Sequence, residues 1–171
     1  IGRPKKSVKG SARREVPCIA GPGVSMDVTG PARTHRREYN MQRRAINPWT
    51  WQDPLGFSQA IEVVGAQKTV YCAGQLSADA DGMPLYPGDM EAQFNCALDN
   101  LEKVLSQAGL TLADVVRLNY YVTDIDAFGE AAPKVDARLR AAGCKPACTL
   151  LGIARLAMPE AMIEIEATAA A

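Results

Sequence analysis

Residues 146–167 have the sequence PACTLLGIARLAMPEAMIEIEA, and this stretch decides the fold. Its pattern predicts two strands, residues 147–156 and 162–169, that pair as a hairpin about Met158 and Pro159. Pro159 fits the turn because a proline ring has no N–H group to donate to a sheet ladder. The end of the sequence is therefore expected to form β-sheet.

The second of these strands alternates strictly between apolar and acidic residues. Successive side chains of a strand point to opposite faces, so Glu164 and Glu166 share one face while Ile163 and Ile165 share the other. Burying an unpaired carboxylate costs several kcal/mol, so the glutamates must meet water, a cationic partner or a cleft. The pattern alone leaves open an exposed sheet face and a ligand cleft.

Two amphipathic helices are predicted upstream of this stretch. The first covers residues 90–108, with Asp89 as its N-cap and Gly109 directly after its end. The second begins near residue 125 or 127 and ends at Gly143, with apolar residues at helical spacing. Pro133 fits only if the regular helix begins close to it, because proline inside a helix removes a hydrogen bond.

Strand patterns also occupy residues 57–64, 69–73 and 115–123, and the first two are expected to form a hairpin. The resulting order is strand, strand, helix, strand, helix, strand, strand. This order predicts an α+β fold, a single domain over residues 41–171 in which one mixed sheet carries both helices on one face. An apolar face on the other side would need a cover, so the layer count also predicts an oligomer.

The first 45 residues are basic, in contrast to the rest of the chain. They contain eleven Lys and Arg against three acidic residues, a net charge of about +8, and the remainder carries about −8. The sequence begins with Ile1, lacks apolar periodicity up to residue 40, and has a candidate start at Met41. We therefore expect residues 1–40 to be disordered or to lie outside the native protein.

Composition argues against several classes of protein. No apolar run approaches the roughly 18 to 20 residues that span a bilayer, and the N-terminal residues lack the apolar stretch of a secretory signal. The five cysteines are odd in number and have no disulfide-like spacing, which fits a reducing compartment. His35 is the only histidine, which argues against a zinc site and a Cys–His nucleophile pair in the body. We therefore predict a cytoplasmic protein without membrane contact, metal or other cofactor.

The decisive stretch resembles the signature of the Rid family of reactive intermediate deaminases, also called the YjgF family. That signature runs Pro-Ala-Arg-Ser or Thr, then Ala-Arg-Leu, then Ile-Glu-Ile-Glu-Ala. The matching residues are 146–147, 149, 154–156 and 163–167. Cys148 stands where the family has its arginine.

Two segments further upstream extend the resemblance. Residues 57–60, Phe-Ser-Gln-Ala, are similar to the family's Tyr-Ser-Gln-Ala, and residues 73–75, Ala-Gly-Gln, are similar to its Ser-Gly-Gln. Both segments line the ligand cleft in the family, which implies that Phe57 and Gly74 do so here. The resemblance also implies a chorismate-mutase-like fold and a homotrimer with clefts between neighbouring protomers.

The resemblance further implies roles for two residues. In the deaminating members, the arginine at the position of Cys148 holds the substrate carboxylate, and the glutamate at the position of Glu164 helps to place the water that attacks an imine carbon. Leu150 stands where many members carry a cysteine, and Phe57 lacks the hydroxyl of the family's tyrosine. Because a cysteine supplies neither paired donors nor a permanent charge, Cys148 argues against activity on ordinary 2-imino acids.

Two consequences concern the geometry of such a cleft. In the predicted hairpin, Cys148 and Glu164 would lie roughly 20 Å apart, so they could share a ligand only across a subunit boundary. Arg117 and Arg138 are candidates to replace the missing guanidinium, although nothing in the sequence places them in the cleft.

Three functional hypotheses remain open. The first is a deaminase-like hydrolase of imines or enamines with an altered substrate, in which Glu164 places water and Phe57, Gly74, Cys148 and Leu150 bind the small molecule. The second is a non-catalytic trimer that binds a small molecule or a protein partner. The third is an endoribonuclease, a name that some family members carry, but the acidic body disfavours binding of nucleic-acid phosphates.

Overall fold

The computed structural model describes residues 40–171, so the predicted extension over residues 1–40 lies, except for its last residue, outside the described part. Short 3₁₀ turns cover Asp53–Leu55 and Leu112–Asp114. The strands and helices are, in chain order, β1 (Gln42–Ile46), β2 (Ala60–Val64), β3 (Thr69–Tyr71), β4 (Gln75–Leu76), α1 (Met90–Gln107), β5 (Val115–Val122), α2 (Ile125–Ala141), β6 (Ala147–Gly152) and β7 (Ile163–Ala170).

The main sheet has five strands in the order β3-β7-β5-β6, with β4 also paired to β7. The β5–β6 pair is parallel and the β5–β7 pair is antiparallel, so the sheet is mixed as predicted. Both helices pack on one face of it, and the α+β fold class is confirmed. Ile163 and Ile165 are fully buried under the helices, as the alternation of the last strand predicts.

The predicted hairpin of the last two strands is wrong, because β5 lies between β6 and β7. The cause is the unit β5-α2-β6, in which a helix connects two strands. A crossover of that length returns the second strand parallel to the first and beside it. Strand β7 then takes the other side of β5, in antiparallel register.

The predicted hairpin of residues 57–64 with residues 69–73 is also wrong. Strand β2 pairs with β1 in a separate two-stranded sheet, whereas β3 pairs with β7. Instead of closing a hairpin, the turn between β2 and β3 hydrogen-bonds to the last residue: the N–H groups of Gln67 and Lys68 donate to the carbonyl of Ala171 at 2.8 and 2.9 Å. Strand β1 escapes prediction because its exposed sequence QRRAI has no apolar alternation.

The helices begin and end close to the predicted positions. The Asp89 side chain accepts a hydrogen bond from the N–H of Ala92 at 3.0 Å, and Gly109, after the end of α1, has a φ of +69°. Helix α2 departs from expectation because it begins eight residues before Pro133 and continues through it. The proline is tolerated there because it lies on the exposed side of the helix, and the carbonyl that loses its partner belongs to the exposed Gly129.

The sheet face away from the helices is polar. On it, Arg117 Nε donates to Asn119 Oδ1 at 2.8 Å, and the Tyr121 hydroxyl donates to Glu166 Oε2 at 2.7 Å. Arg117 also donates to the Thr149 hydroxyl. The expectation of an apolar face that needs a cover is therefore wrong, and oligomerisation rests on the family resemblance.

Candidate functional site

An apolar pocket of about 330 Å³ lies between α2, the β5–β6 edge of the sheet and the turn before β2. Its volume is at the lower end of the range for small-molecule sites, roughly 300 to 1,000 Å³. Most of the lining is aliphatic or aromatic, and the residues with side chains that can titrate are Tyr120, Asp136 and Cys148. The pocket is therefore sized for a small, mainly apolar ligand.

Two elements of regular structure form the walls of this pocket. On α2, Phe128, Ala132 and Asp136 recur at intervals of four residues and so lie on one side of the helix. On the sheet, the register pairs Cys148 with Leu118 and Leu150 with Tyr120, which puts both β6 residues on the helix-covered face. The floor is formed by Tyr120 and Phe128, which pack against each other and against the buried Phe94 at centroid distances of 5.4 to 5.6 Å.

The turn at residues 55–57 closes the remaining side of the pocket. Gly56 has a φ of +74°, a backbone conformation that favours glycine. The Ser58 N–H donates to the Pro146 carbonyl at 2.8 Å, and Arg140 Nη2 donates to the Pro54 carbonyl at 2.7 Å. These bonds hold Phe57 against the start of β6 and the end of α2.

The pocket environment suppresses the charged forms of its titratable groups. Burial raises the pKa of the Cys148 thiol to about 11, so the thiol is neutral at pH 7. Burial also raises the pKa of the Tyr120 hydroxyl well above its usual value. The pKa of Asp136 is raised by burial as well, and the nearby Arg140 offsets this rise only in part. Cys148 is accordingly a small, uncharged lining group and not an activated nucleophile.

Gly74 and Glu164 form a second cluster, away from the pocket. The antiparallel pairing of β4 with β7 places Leu76 opposite Glu164 and brings the chain at Gly74 against the glutamate. A Cβ built on Gly74 would overlap Oε1 of Glu164 and lie 2.5 Å from its Cδ. Gly74 therefore allows the carboxylate to approach the backbone closely, and a special backbone angle is not the reason for the glycine.

The predicted site residues thus fall into two groups within one protomer. Phe57, Cys148 and Leu150 line the pocket, whereas Gly74 and Glu164 lie together elsewhere, with Glu164 on the sheet face opposite Cys148. Since β5 separates the two strands, the Cα atoms of Cys148 and Glu164 are roughly 14 Å apart, not the 20 Å expected from a hairpin. The two groups do not meet at one ligand within a single chain.

Neither arginine considered as a replacement for the missing guanidinium lies in the pocket. Arg117 is on the opposite face of the sheet, bonded to Asn119 and Thr149. Arg138 joins the two helices, with Nη2 donating at 2.6 Å to both Asp99 and Glu102. The lining contains no Lys, Arg or His.

Sequence reasoning missed Asp136 as a pocket residue. The signal was available, because Asp136 follows Phe128 and Ala132 at helical spacing and directly follows the buried Val135. A carboxylate within the inward side of an amphipathic helix is uncommon unless it has a partner.

Residues 40–171 lack two other kinds of feature. No group of three or more His, Cys, Asp and Glu side chains there could hold a metal ion. None of the helices of this part is long and apolar enough to cross a membrane.

Comparison with known proteins gives consistent matches. The family model of Endoribonuclease L-PSP matches residues 52–171. A RutC family protein of Drosophila melanogaster is 36% identical over 108 residues, 63% of this chain and 76% of the relative. The 2-iminobutanoate/2-iminopropanoate deaminase of Rattus norvegicus is 34% identical over 73 residues, 43% of this chain and 51% of that enzyme. The crystal structure of YyfB from Yersinia pestis, a Rid family protein of unknown function, has a TM-score of 0.67 at 38% identity and covers 75% of this chain and 98% of that one.

Proposed function

This chain belongs to the Endoribonuclease L-PSP family, also called the YjgF or Rid family, and we propose that it is a hydrolase of C=N bonds whose substrate lacks the carboxylate of a 2-imino acid. The supporting observation is the apolar pocket, which keeps a ligand-sized volume but has Cys148 in place of a cation. The choice of C=N hydrolysis as the reaction is supported by a relative that is named as a 2-iminobutanoate/2-iminopropanoate deaminase.

In the proposed reaction, water adds to the carbon of the C=N bond and Glu164 accepts the proton that the water loses. The tetrahedral carbinolamine then takes a proton at nitrogen, the C–N bond breaks, and a carbonyl compound and ammonia leave. A carboxylate held within hydrogen-bond reach of the water is suited to this general-base step. Phe57, Cys148 and Leu150 would hold the apolar part of the substrate, and Gly74 would allow Glu164 its position.

We further propose that the working site is composite, with the pocket of one protomer facing Glu164 of a neighbouring protomer in a homotrimer. One observation supports this arrangement. The pocket group and the Gly74–Glu164 group lie on opposite faces of the same sheet, so a second copy is needed to bring them to one ligand. Cyclic assemblies repeat the same contact at each interface, so a trimer would hold three such sites.

A non-catalytic binding protein is the second candidate, and the same pocket favours it. The thiol of Cys148 is neutral, and Phe57 has no hydroxyl to orient a ligand, so the pocket could bind without reacting. An endoribonuclease, the function in the family's name, is disfavoured because beyond residue 45 the acidic residues outnumber Lys and Arg by about eight.

One assay separates the hydrolase from the binding protein. We expect the protein to accelerate ammonia release from the imine of 3-methylbutylamine, generated in place by an amine oxidase. Gly74→Ala should lower that rate by roughly 10- to 100-fold, because the new Cβ displaces the Glu164 carboxylate and small misplacements of catalytic groups cost this much.

Gly129→Ala is the matched control for Gly74→Ala. A Cβ at Gly129 meets nothing within 4 Å, so this variant should keep the parental rate. A folded parent that does not accelerate ammonia release at all would reject the hydrolase in favour of the binding protein. Equal rates for Gly74→Ala and the parent would remove Glu164 from the mechanism.

A further inference from the structure

Asp136 is the one acidic residue in the lining of the apolar pocket, and it has no partner within the described residues. No side chain or backbone group between residues 40 and 171 forms a hydrogen bond or ion pair with its carboxylate. The nearest cation on the same helix, Arg140, is one turn further on and donates instead to the Pro54 carbonyl at 2.7 Å. The carboxylate therefore lines the pocket without a counter-charge bound to it.

The ionised form of Asp136 is destabilised by this placement, and a cationic ligand would stabilise it. An ionised carboxylate in apolar surroundings is destabilised unless a positive charge or hydrogen-bond donors are near it. The lining itself supplies no cation, because its other residues that can titrate are Tyr120 and the neutral thiol of Cys148. Arg140 lies beside the lining residue Gly56 and partly offsets the raised pKa of Asp136, but it forms no ion pair with the carboxylate. A cation in direct contact with the carboxylate is therefore expected on the molecule that enters the pocket.

We propose that this pocket selects small apolar ligands that carry a protonated nitrogen, an ammonium or iminium group, and that Asp136 is the residue that recognises this charge. This inference rests on the proposed function in so far as the pocket is taken to be the ligand site. It gives the pocket the opposite polarity to one that anchors a carboxylate through arginine. A carboxylate-bearing ligand would meet like charge in Asp136 and find no donor in Cys148.

The same polarity suits hydrolysis of a C=N bond. Protonation of an imine makes its carbon more electrophilic, and Asp136 stabilises the protonated form by facing its nitrogen. The overall reaction balances as iminium plus water giving a carbonyl compound plus ammonium: the oxygen of water bonds to carbon, the C–N bond breaks, and both water protons end on nitrogen. Asp136 positions and stabilises the cation, and Glu164 of the neighbouring protomer relays the proton from water.

The proposal also predicts how binding depends on pH. Asp136 must be ionised to pair with a cation, and burial raises its pKa, so ammonium affinity should fall as the pH is lowered through that raised value. The other titratable or charged groups facing the pocket region are Arg140, Cys148 and Tyr120. Burial raises the pKa of both Cys148 and Tyr120, so these two groups stay neutral below pH 7 and the change is assigned to Asp136.

Calorimetry with three unreactive probes of similar shape tests the charge selectivity. The probes are 3-methylbutylammonium, 3-methylbutanol and 4-methylpentanoate. The parent is expected to bind the ammonium at least tenfold more tightly than the alcohol and to bind the carboxylate most weakly. Asp136→Asn should bring the ammonium and the alcohol to within about threefold of each other, and Glu130→Gln, an exposed change on the same helix, should leave the tenfold preference intact.

Two results would overturn the proposal: carboxylate binding as tight as ammonium binding, or an ammonium preference that survives Asp136→Asn. If that variant does not fold, the parent still decides the matter, because ammonium affinity must drop at low pH while alcohol affinity stays constant. Since the probes do not react, the outcomes are independent of catalysis. Ammonium selectivity without imine hydrolysis would keep this inference and reject the hydrolase, and the reverse result would do the opposite.

Discussion

Asp136→Asn combined with Cys148→Arg is expected to raise the rate of 2-imino acid hydrolysis by at least 30-fold, whereas Cys148→Arg alone should gain less than about tenfold. Removing one partner of a desolvated, hydrogen-bonded charge pair costs about 2 to 5 kcal/mol, or roughly 30-fold to several thousand-fold in binding, so a restored guanidinium should recover a gain of that order. In the single variant Asp136 is expected to form an ion pair with the introduced guanidinium, because positions 136 and 148 line the same pocket. The charge of Asp136 already raises the pKa of Cys148. The double variant leaves the guanidinium free for the substrate.

The measurement is kcat/KM for ammonia release from 2-imino acids generated in place by an amino acid oxidase. Asp136→Asn alone is the control, and it should gain little because no cation is added. Equal gains from the single Cys148→Arg variant and the double variant would show that Asp136 does not compete for the arginine. Absence of any gain in a folded double variant would mean that the pocket is not the site of this chemistry.

Glu164→Gln is expected to lower the rate of imine hydrolysis by roughly 10²- to 10⁴-fold, the usual contribution of a general base. The amide keeps the shape of the carboxylate but cannot accept the proton from water. Glu166→Gln is the matched control, because Glu166 lies on the same face two residues away and is bonded to Tyr121 at 2.7 Å. It should change the rate less than threefold, and an equal loss in both variants would indicate damage to the sheet face.

Mixed trimers test whether Glu164 acts on the pocket of its neighbour. Glu164→Gln can be coexpressed with Ala132→Trp, which fills the pocket from α2, so that neither variant is active alone. If each site takes its pocket and its glutamate from different protomers, about a quarter of the sites in a random mixture combine both intact halves. Activity near that level supports the composite site, and a mixture as inactive as its components contradicts it.

The sequence predicted local features of the fold well, because their causes lie within a few residues. The cap at Asp89, the turn at Gly109 and the buried positions of Ile163 and Ile165 all follow from spacing and side-chain chemistry. Strand pairing was predicted less well, because partners are chosen by distant segments. The hydrogen bonds that bind the turn before β3 to Ala171 have no counterpart in the local pattern.

The candidate site shows the same limit. Residue spacing predicts which side chains share a face of β7, but it does not predict that β5 lies between β6 and β7. The distance between Cys148 and Glu164 was therefore overestimated. The family resemblance indicated Gly74 as a cleft residue, whereas its contact with Glu164 depends on the β4–β7 register. The sequence places Asp136 beside the apolar side of its helix, but only the structure shows that it lines a pocket.

The most direct measurement of the central claim is the ratio of kcat/KM for two imines that differ only by a carboxylate. These are the imine of 3-methylbutylamine and the 2-imino acid of leucine, each produced in place and each corrected for its spontaneous hydrolysis. A pocket with Asp136 and without a guanidinium predicts that the carboxylate-free imine is preferred by at least about 30-fold. A preference for the 2-imino acid would contradict the account.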